Sequence, residues 1–398
     1  RTFSEYKASL LPETLVSAYG SLPADLQAGA IQTARDAALL AGQGGNYADG
    51  APRYFSCQTC HMPAAIGRGA KQNKAPLRND LPVHDLTGGN YWVGSTIQYL
   101  DSLSPSKLRL GAGLTVKQIA ELQVAADRAR QQLKLAASLK VDGDRLTVTN
   151  LTGHKLITGY PEGRRLWLNI RWYDDEDNLL REDGSYGPLE DGDDLPVTVT
   201  DPATGKQVQV HSLLDLHDKN SKIYEAHYGM THEWAEQLID LGYSGDLVLA
   251  YDRLTGKPTM TLGELEDMED DSAVETFHFV LNNVVLKDNR IPPFGMDREE
   301  ARKRNILPVP STQYGGGLSG SYNYWDELEL NPPTGADHAQ IELKYQPTSW
   351  EYIQFLFQAN DGSNVFLQNE GRNLLEAWLH TGMAEPYIMA STSSVSYT

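Results

Sequence analysis

Hydrophobic and polar positions change their period near residue 138. Before it, apolar residues recur at helical spacing. Residues 24–43 are rich in Ala and Leu and charged on one face. Val116, Ile119, Leu122 and Ala125 follow each other at intervals of three behind Thr115, which is suited to cap the helix they predict through about Leu135. From Leu139 the alternation has period two. Leu139 and Val141, a turn at Asp142-Gly143-Asp144, then Leu146 and Val148 predict a hairpin. Leu166, Leu168, Ile170 and Trp172 alternate with Trp167, Asn169, Arg171 and Tyr173, the pattern of a half-buried strand. Further strands are expected at 208–211, 247–251, 274–287 and 340–345. Helices interrupt them: Thr231 is placed to cap one reaching Leu241, Thr348-Ser349-Trp350-Glu351 opens a second, and 365–380 predicts a third. The expected class is α+β, with a mainly helical region over 1–138 and an antiparallel β-sandwich-like region with helical insertions over 139–398.

Length and charge narrow the class further. The chain has 398 residues, enough for two or three cores. A formal net charge of −19 argues against nucleic acid and anionic lipid, and predicts that any electrostatic partner presents a basic patch. No run approaches the roughly 18 apolar residues of a membrane span. The chain begins with Arg1 instead of Met, which leads us to expect a removed export signal.

The chemistry is concentrated in one motif. Both cysteines of the chain lie in Cys57-Gln58-Thr59-Cys60-His61-Met62-Pro63. A C-x-x-C-H run is the attachment signature of a c-type haem: two thiols three residues apart reach the two vinyl groups of one porphyrin, and the histidine lies beneath the iron. A disulfide scaffold is excluded by the cysteine count, and a zinc site would need two more ligands. One covalent haem c is therefore expected, held by Cys57, Cys60 and His61. Haem attachment outside the cytoplasm implies export, to the periplasm or the cell surface.

The sixth ligand is less constrained. Met62 is too close to His61 to reach the opposite face. Among the other nine histidines, two lie in Gly-rich turns: His154, in Thr152-Gly153-His154-Lys155-Leu156-Ile157-Thr158-Gly159, and His84, in Val83-His84-Asp85-Leu86-Thr87-Gly88-Gly89. Gly153 and Gly159 would let a flat ring approach the backbone. The residues alone leave both open.

Together these segments resemble a bacterial family of exported c-type cytochromes, mostly multihaem, over roughly residues 50–300. That family carries C-x-x-C-H-M-P, an H-x-F-x-G-G-like segment, a G-H-x-x-P-T-G segment that opens a β-domain, and a D-x-R-I-P-P turn. Here they correspond to 57–63, 84–89, 150–166 and 287–293. The resemblance implies that His154 is a haem ligand and favours it as the distal one, with His84 the alternative. Ile157 departs from the family's proline. The single haem motif also departs from the family, and it leaves one family histidine without a haem in this chain.

Other features have weaker readings. Arg164 and Arg165 are candidates to pair with haem propionates or with surface carboxylates. Tyr91, Trp92, Tyr99, Tyr160 and Trp167 are candidates for an aromatic wall or for ordinary core. His211, His217, His227 and His232 match no standard zinc spacing. Asp191 to Asp194 and Asp267 to Asp271 are candidate calcium sites, with solvated acidic turns the default.

The reading that follows is electron transfer with redox proteins, other cytochromes among them, through a bis-histidine haem of low potential. Alternatives are a haem enzyme with an open distal site reducing peroxide or a nitrogen oxide, and a subunit of a self-assembling extracellular complex or filament.

Overall fold

In the computed structural model, which describes residues 1–71, 74–109, 112–316 and 320–393, the strand Arg165–Tyr173 is the axis of the largest sheet. It pairs antiparallel with His338–Gln346 along its whole length, which pairs in turn with Tyr387–Ser393. Short strands Ile223–Tyr224 and Leu179–Asp183 occupy its other edge. The alternation in sequence predicts a half-buried strand, yet Trp167 and Asn169 are as buried as Leu166 and Leu168. Their polar atoms allow it: Trp167 Nε1 donates to the Gly184 carbonyl at 3.0 Å, and Asn169 Nδ2 donates to the carbonyls of Asp183 and Gly184, both at 3.1 Å.

The predicted hairpin forms as Ala137–Asp142 and Arg145–Asn150, and Trp325–Glu329 adds a third strand beside the second. The fold is α+β. Two caps act as their sequences predict, and the third forms at Ser349 instead of at the Thr348 of the expected box. Thr115 Oγ1 accepts from Gln118 N while Gln118 Oε1 accepts from Thr115 N, closing a reciprocal box on the helix Val116–Lys134. Thr231 caps His232–Asp240 and Ser349 caps Trp350–Gln358.

Elsewhere the structure departs from the pattern. The helix expected over 24–43 is confined to Gly29–Leu40 and stops before Gly42. The last helix starts at Glu370, leaving Val365, Phe366 and Leu367 exposed before it. A two-stranded hairpin, Ala64–Arg68 with Leu77–Pro82, lies in the region that reads as helical. The long strand expected at 274–287 is two strands, Ala273–Glu275 and Val284–Asp288, which flank Ala226–Thr231 on opposite edges. Residues 276–283 carry the chain across from one edge to the other, so they cannot be a strand. His278 belongs to this crossing and bonds the Val248 carbonyl at 2.9 Å.

Two cores place the site. The larger takes Tyr91, Trp92, Ala129 and Leu133 from before residue 138 and Leu168, Trp172 and Ile341 from after it. A second gathers Leu11, Val16, Leu26, Ile31 and Phe55 with Leu151 and Tyr324, and Cys60 packs against it. The cysteine motif and the turn after Asn150 thus lie on one hydrophobic cluster. Among the described residues no helix is long and apolar enough to cross a membrane.

Candidate functional site

Residues Cys57–His61 form a single helical turn. Ser56 caps it: its Oγ accepts from Thr59 N at 3.2 Å, and Thr59 Oγ1 accepts from Ser56 N at 3.3 Å. Phe55, just before the cap, is buried, and its carbonyl accepts from the Tyr6 hydroxyl at 2.8 Å, which fixes where the turn begins. Within the turn, positions 57, 60 and 61 stand in i, i+3, i+4 relation and so share one face. All three border a cavity of about 310 Å³. Both cysteines are free thiols. Burial, then the neighbouring Cys57, pushes the Cys60 thiol up to about 12.

Across the cavity stands His154. Its ring centroid is 6.2 Å from that of His61, and the two ring planes are inclined by 19°. The His61 ring Nδ1 donates to the Thr87 carbonyl at 2.7 Å. The His154 Nδ1 lies 3.1 Å from the Lys155 carbonyl and 3.2 Å from Thr152 Oγ1. A carbonyl can only accept, so each Nδ1 carries a proton, and in a neutral ring that leaves the free electron pair on Nε2. Among the described residues neither Nε2 has a hydrogen-bond partner. Burial lowers the pKa of His154, which keeps it in the neutral, metal-binding form.

The residues fit a haem. Two imidazoles bound to opposite sides of one metal through ~2.0 Å bonds, with roughly 1.1 Å from each nitrogen to its ring centre, have centroids about 6 Å apart. The carbonyl bond at each Nδ1 is the support that metal-binding histidines use to hold tautomer and orientation. Between the rings the wall is apolar, with Leu11, Ile31, Phe55, Leu133, Leu151 and Tyr345 among the lining residues. Gly153 and Gly159 both border the cavity. A Cβ at Gly153 would meet Leu11 Cδ1 and Tyr6 Cδ2 at 3.3 Å, so the glycine lets the turn pack on the N-terminal segment. Gly159 has φ +96°, a left-handed conformation that suits glycine.

The remaining sequence candidates separate. His84 is exposed and does not border the cavity. Its segment does: Gly88 and Gly89 line the wall, and Thr87 supplies the acceptor for His61. Nothing in the sequence singles out Thr87, because its contribution is a main-chain carbonyl. Arg164 lines the cavity and its Nη1 donates to the Thr158 carbonyl at 3.1 Å. Arg165 points the other way, as successive residues at a strand start must, and is paired with part-buried Glu351 away from the cavity. Of the aromatic residues, Tyr91, Trp92, Tyr99, Tyr160 and Trp167 are all absent from the lining; Tyr6, Phe55 and Tyr345 take that place. Tyr91 instead donates to the Glu385 carbonyl at 2.5 Å, and Trp92 Nε1 donates to Thr381 Oγ1 at 2.8 Å.

The four histidines at 211–232 do not converge. His227 lies between Glu225 at 2.9 Å and Glu275 at 2.8 Å, and His232 bonds the Leu265 carbonyl at 3.2 Å. In the turn Asp191 to Asp194 a carboxylate serves the backbone, Asp191 Oδ1 accepting from Asp193 N and Leu195 N, and in Asp267 to Asp271 Asp270 Oδ1 lies 3.7 Å from His232 Nε2. Among the described residues no group of three or more His, Cys, Asp or Glu side chains is gathered as a metal ion would need.

No protein-family model matches the chain, and no curated protein matches it. Among solved structures the chain is similar to a penta-heme cytochrome c552 from Thermochromatium tepidum, at 14% identity and a TM-score of 0.30. The match covers 88% of this chain and 52% of the other, so the chain spans about half the length of that structure. So low a TM-score carries no argument, and the functional reading rests on the site.

Proposed function

We propose that this chain is a c-type cytochrome that transfers electrons through one covalently held, bis-histidine haem. The observation that carries the reading is the pair of near-parallel imidazoles 6.2 Å apart, each tied by Nδ1 to a carbonyl, beside two free thiols on the same wall. When bound, the haem iron supplies a one-electron couple, and two imidazole ligands hold its potential below that of a His/Met pair.

The chain's own residues do the rest. Cys57 and Cys60 would anchor the group, and His61 and His154 would ligate its iron. The apolar wall limits water, which adjusts the potential. Arg164, half-buried at the wall, is the residue suited to meet a propionate, since a guanidinium fork matches a carboxylate. Ligation by both histidines would leave the iron no position for substrate, which favours electron transfer over peroxide or nitrogen-oxide chemistry. The partners are then redox proteins, and the compartment is the periplasm or the cell surface, where haem attachment takes place.

The test is to change His154→Ala and His84→Ala separately and record ferric absorption and EPR spectra. A low-spin spectrum in the wild type that turns high-spin in His154→Ala and persists in His84→Ala is expected. A high-spin wild type, or loss of the low-spin signal in His84→Ala alone, would refute the assignment.

A further inference from the structure

The turn that carries His154 is gripped by four buried charges from three distant parts of the chain. Glu5 comes from the helix Thr2–Lys7, Lys155 from the turn itself, and Asp288 and Arg290 from the end of the strand Val284–Asp288 and just beyond it. None is more than 2% exposed. Lys155 Nζ donates to Asp288 Oδ2 at 2.6 Å. Arg290 donates through Nε to Asp288 Oδ1 at 2.8 Å, and through Nη2 to Asp288 Oδ2 at 2.7 Å and Glu5 Oε1 at 3.1 Å. Two acids and two bases close the group in charge.

Three further bonds of the group run to the distal turn, and Lys155 Nζ also donates to the Leu307 carbonyl at 3.2 Å. Lys155 N donates to Glu5 Oε2 at 3.1 Å, Arg290 Nη1 donates to the Ile157 carbonyl at 2.9 Å, and the Thr158 hydroxyl donates to Glu5. The His154 carbonyl, for its part, accepts from Asn150 Nδ2 at 2.8 Å, and the same amide reaches the carbonyls of Ile291 and Pro292. Apolar packing would stabilise such a turn as well, because buried ion groups are weak sources of stability. What the charges add is a single position: no member can move without leaving a partner uncompensated in a place water does not reach.

We propose that Glu5, Asp288 and Arg290 are positioning residues that hold His154 at its distance from His61, so that the distal nitrogen is kept in place and exogenous ligands are kept out. The inference rests on the reading of His154 as the distal ligand.

The experiment uses the haem-loaded chain with Glu5→Ala, Glu5→Gln and Thr158→Val, beside the wild type, His154→Ala and Glu351→Ala. Glu351 closes a different, part-buried ion group, with Arg165 and Arg253, away from the cavity, so its loss controls for general destabilisation. The readouts are the ferric EPR spectrum, the rate of cyanide binding to ferric protein and the thermal midpoint. Glu5→Ala is expected to bind cyanide about tenfold faster or more and to show a high-spin component, a shift of one order of magnitude in the population of the displaced turn. Glu351→Ala is expected to lower the midpoint while cyanide binding stays within about twofold of wild type. Equal acceleration in Glu5→Ala and Glu351→Ala overturns the proposal, as does no acceleration in Glu5→Ala. Should Glu5→Ala fail to accumulate folded, Glu5→Gln and Thr158→Val carry the comparison, each expected roughly threefold faster than wild type, and wild-type rates in both overturn the proposal. His154→Ala separates the two readings. An unchanged spectrum there refutes the distal ligand itself, whereas a high-spin His154→Ala with wild-type behaviour in the Glu5 variants refutes only the positioning role.

Discussion

Replacing Asp288 by Asn keeps the shape of the side chain and removes one negative charge from a neutral buried group. Lys155 Nζ at 2.6 Å and Arg290 Nη2 at 2.7 Å then face each other with only Glu5 to offset them. Both cations are 2% exposed or less, so water does not compensate the excess. Removing one partner of such a buried group costs about 3–5 kcal/mol. The unfolding entropy of a chain this long (398 residues) is roughly 0.8 kcal/mol per degree, from about 2.1 cal/mol/K per residue. The thermal midpoint should fall by about 4–6 °C, read by far-UV circular dichroism at one scan rate. A second change makes the reasoning sharper. Lys155→Met in the Asp288→Asn background removes the uncompensated charge, so the double variant should be more stable than Asp288→Asn alone. A loss below about 1 kcal/mol in the single variant, or strictly additive losses in the double, would show that charge closure is not what the group provides.

Further outcomes follow from other places. At His227, burial works to lower the pKa, but the hydrogen bonds and charges of Glu225 and Glu275 outweigh it and raise the group to about 9. The stability it contributes, roughly 3 kcal/mol at most from a rise of that size, is full below pH 6.5 and is lost as pH rises through 9. Denaturant melts of wild type and His227→Gln should therefore differ most at pH 6 and converge above pH 9; a constant difference would contradict the ion pair. Phe55→Ala, which empties a position 1% exposed beside the cysteine turn, should cost about 3–5 kcal/mol and lower haem incorporation, measured as haem absorbance per chain. Thr115→Ala should cost about 1 kcal/mol through loss of the helix cap while leaving the ferric spectrum unchanged; a spectral change would mean that this helix end is coupled to the cavity.

Local chemistry was readable in the sequence wherever it depends on near neighbours. The spacing of Cys57, Cys60 and His61 puts all three on one cavity wall because one helical turn brings i, i+3 and i+4 to a common face. The caps at Thr115 and Thr231 are legible for the same reason, since each is satisfied within three residues. The hairpin around Gly143 follows from alternation and a turn. What the tertiary structure alone decided depends on which distant surfaces meet. His154 and His84 both sit in Gly-rich turns, and only packing on the cluster of Leu11, Phe55 and Leu151 brings one of them opposite His61 and leaves the other exposed. Arg164 and Arg165 are adjacent and alike in sequence, and the strand's own alternation sends one to the cavity and the other to Glu351. Thr87, Glu5 and the four-charge group act through carbonyls and ion pairs between residues up to 285 positions apart, which no periodicity encodes. A ligand's identity is a property of a few consecutive residues, but its position depends on every segment that packs against it.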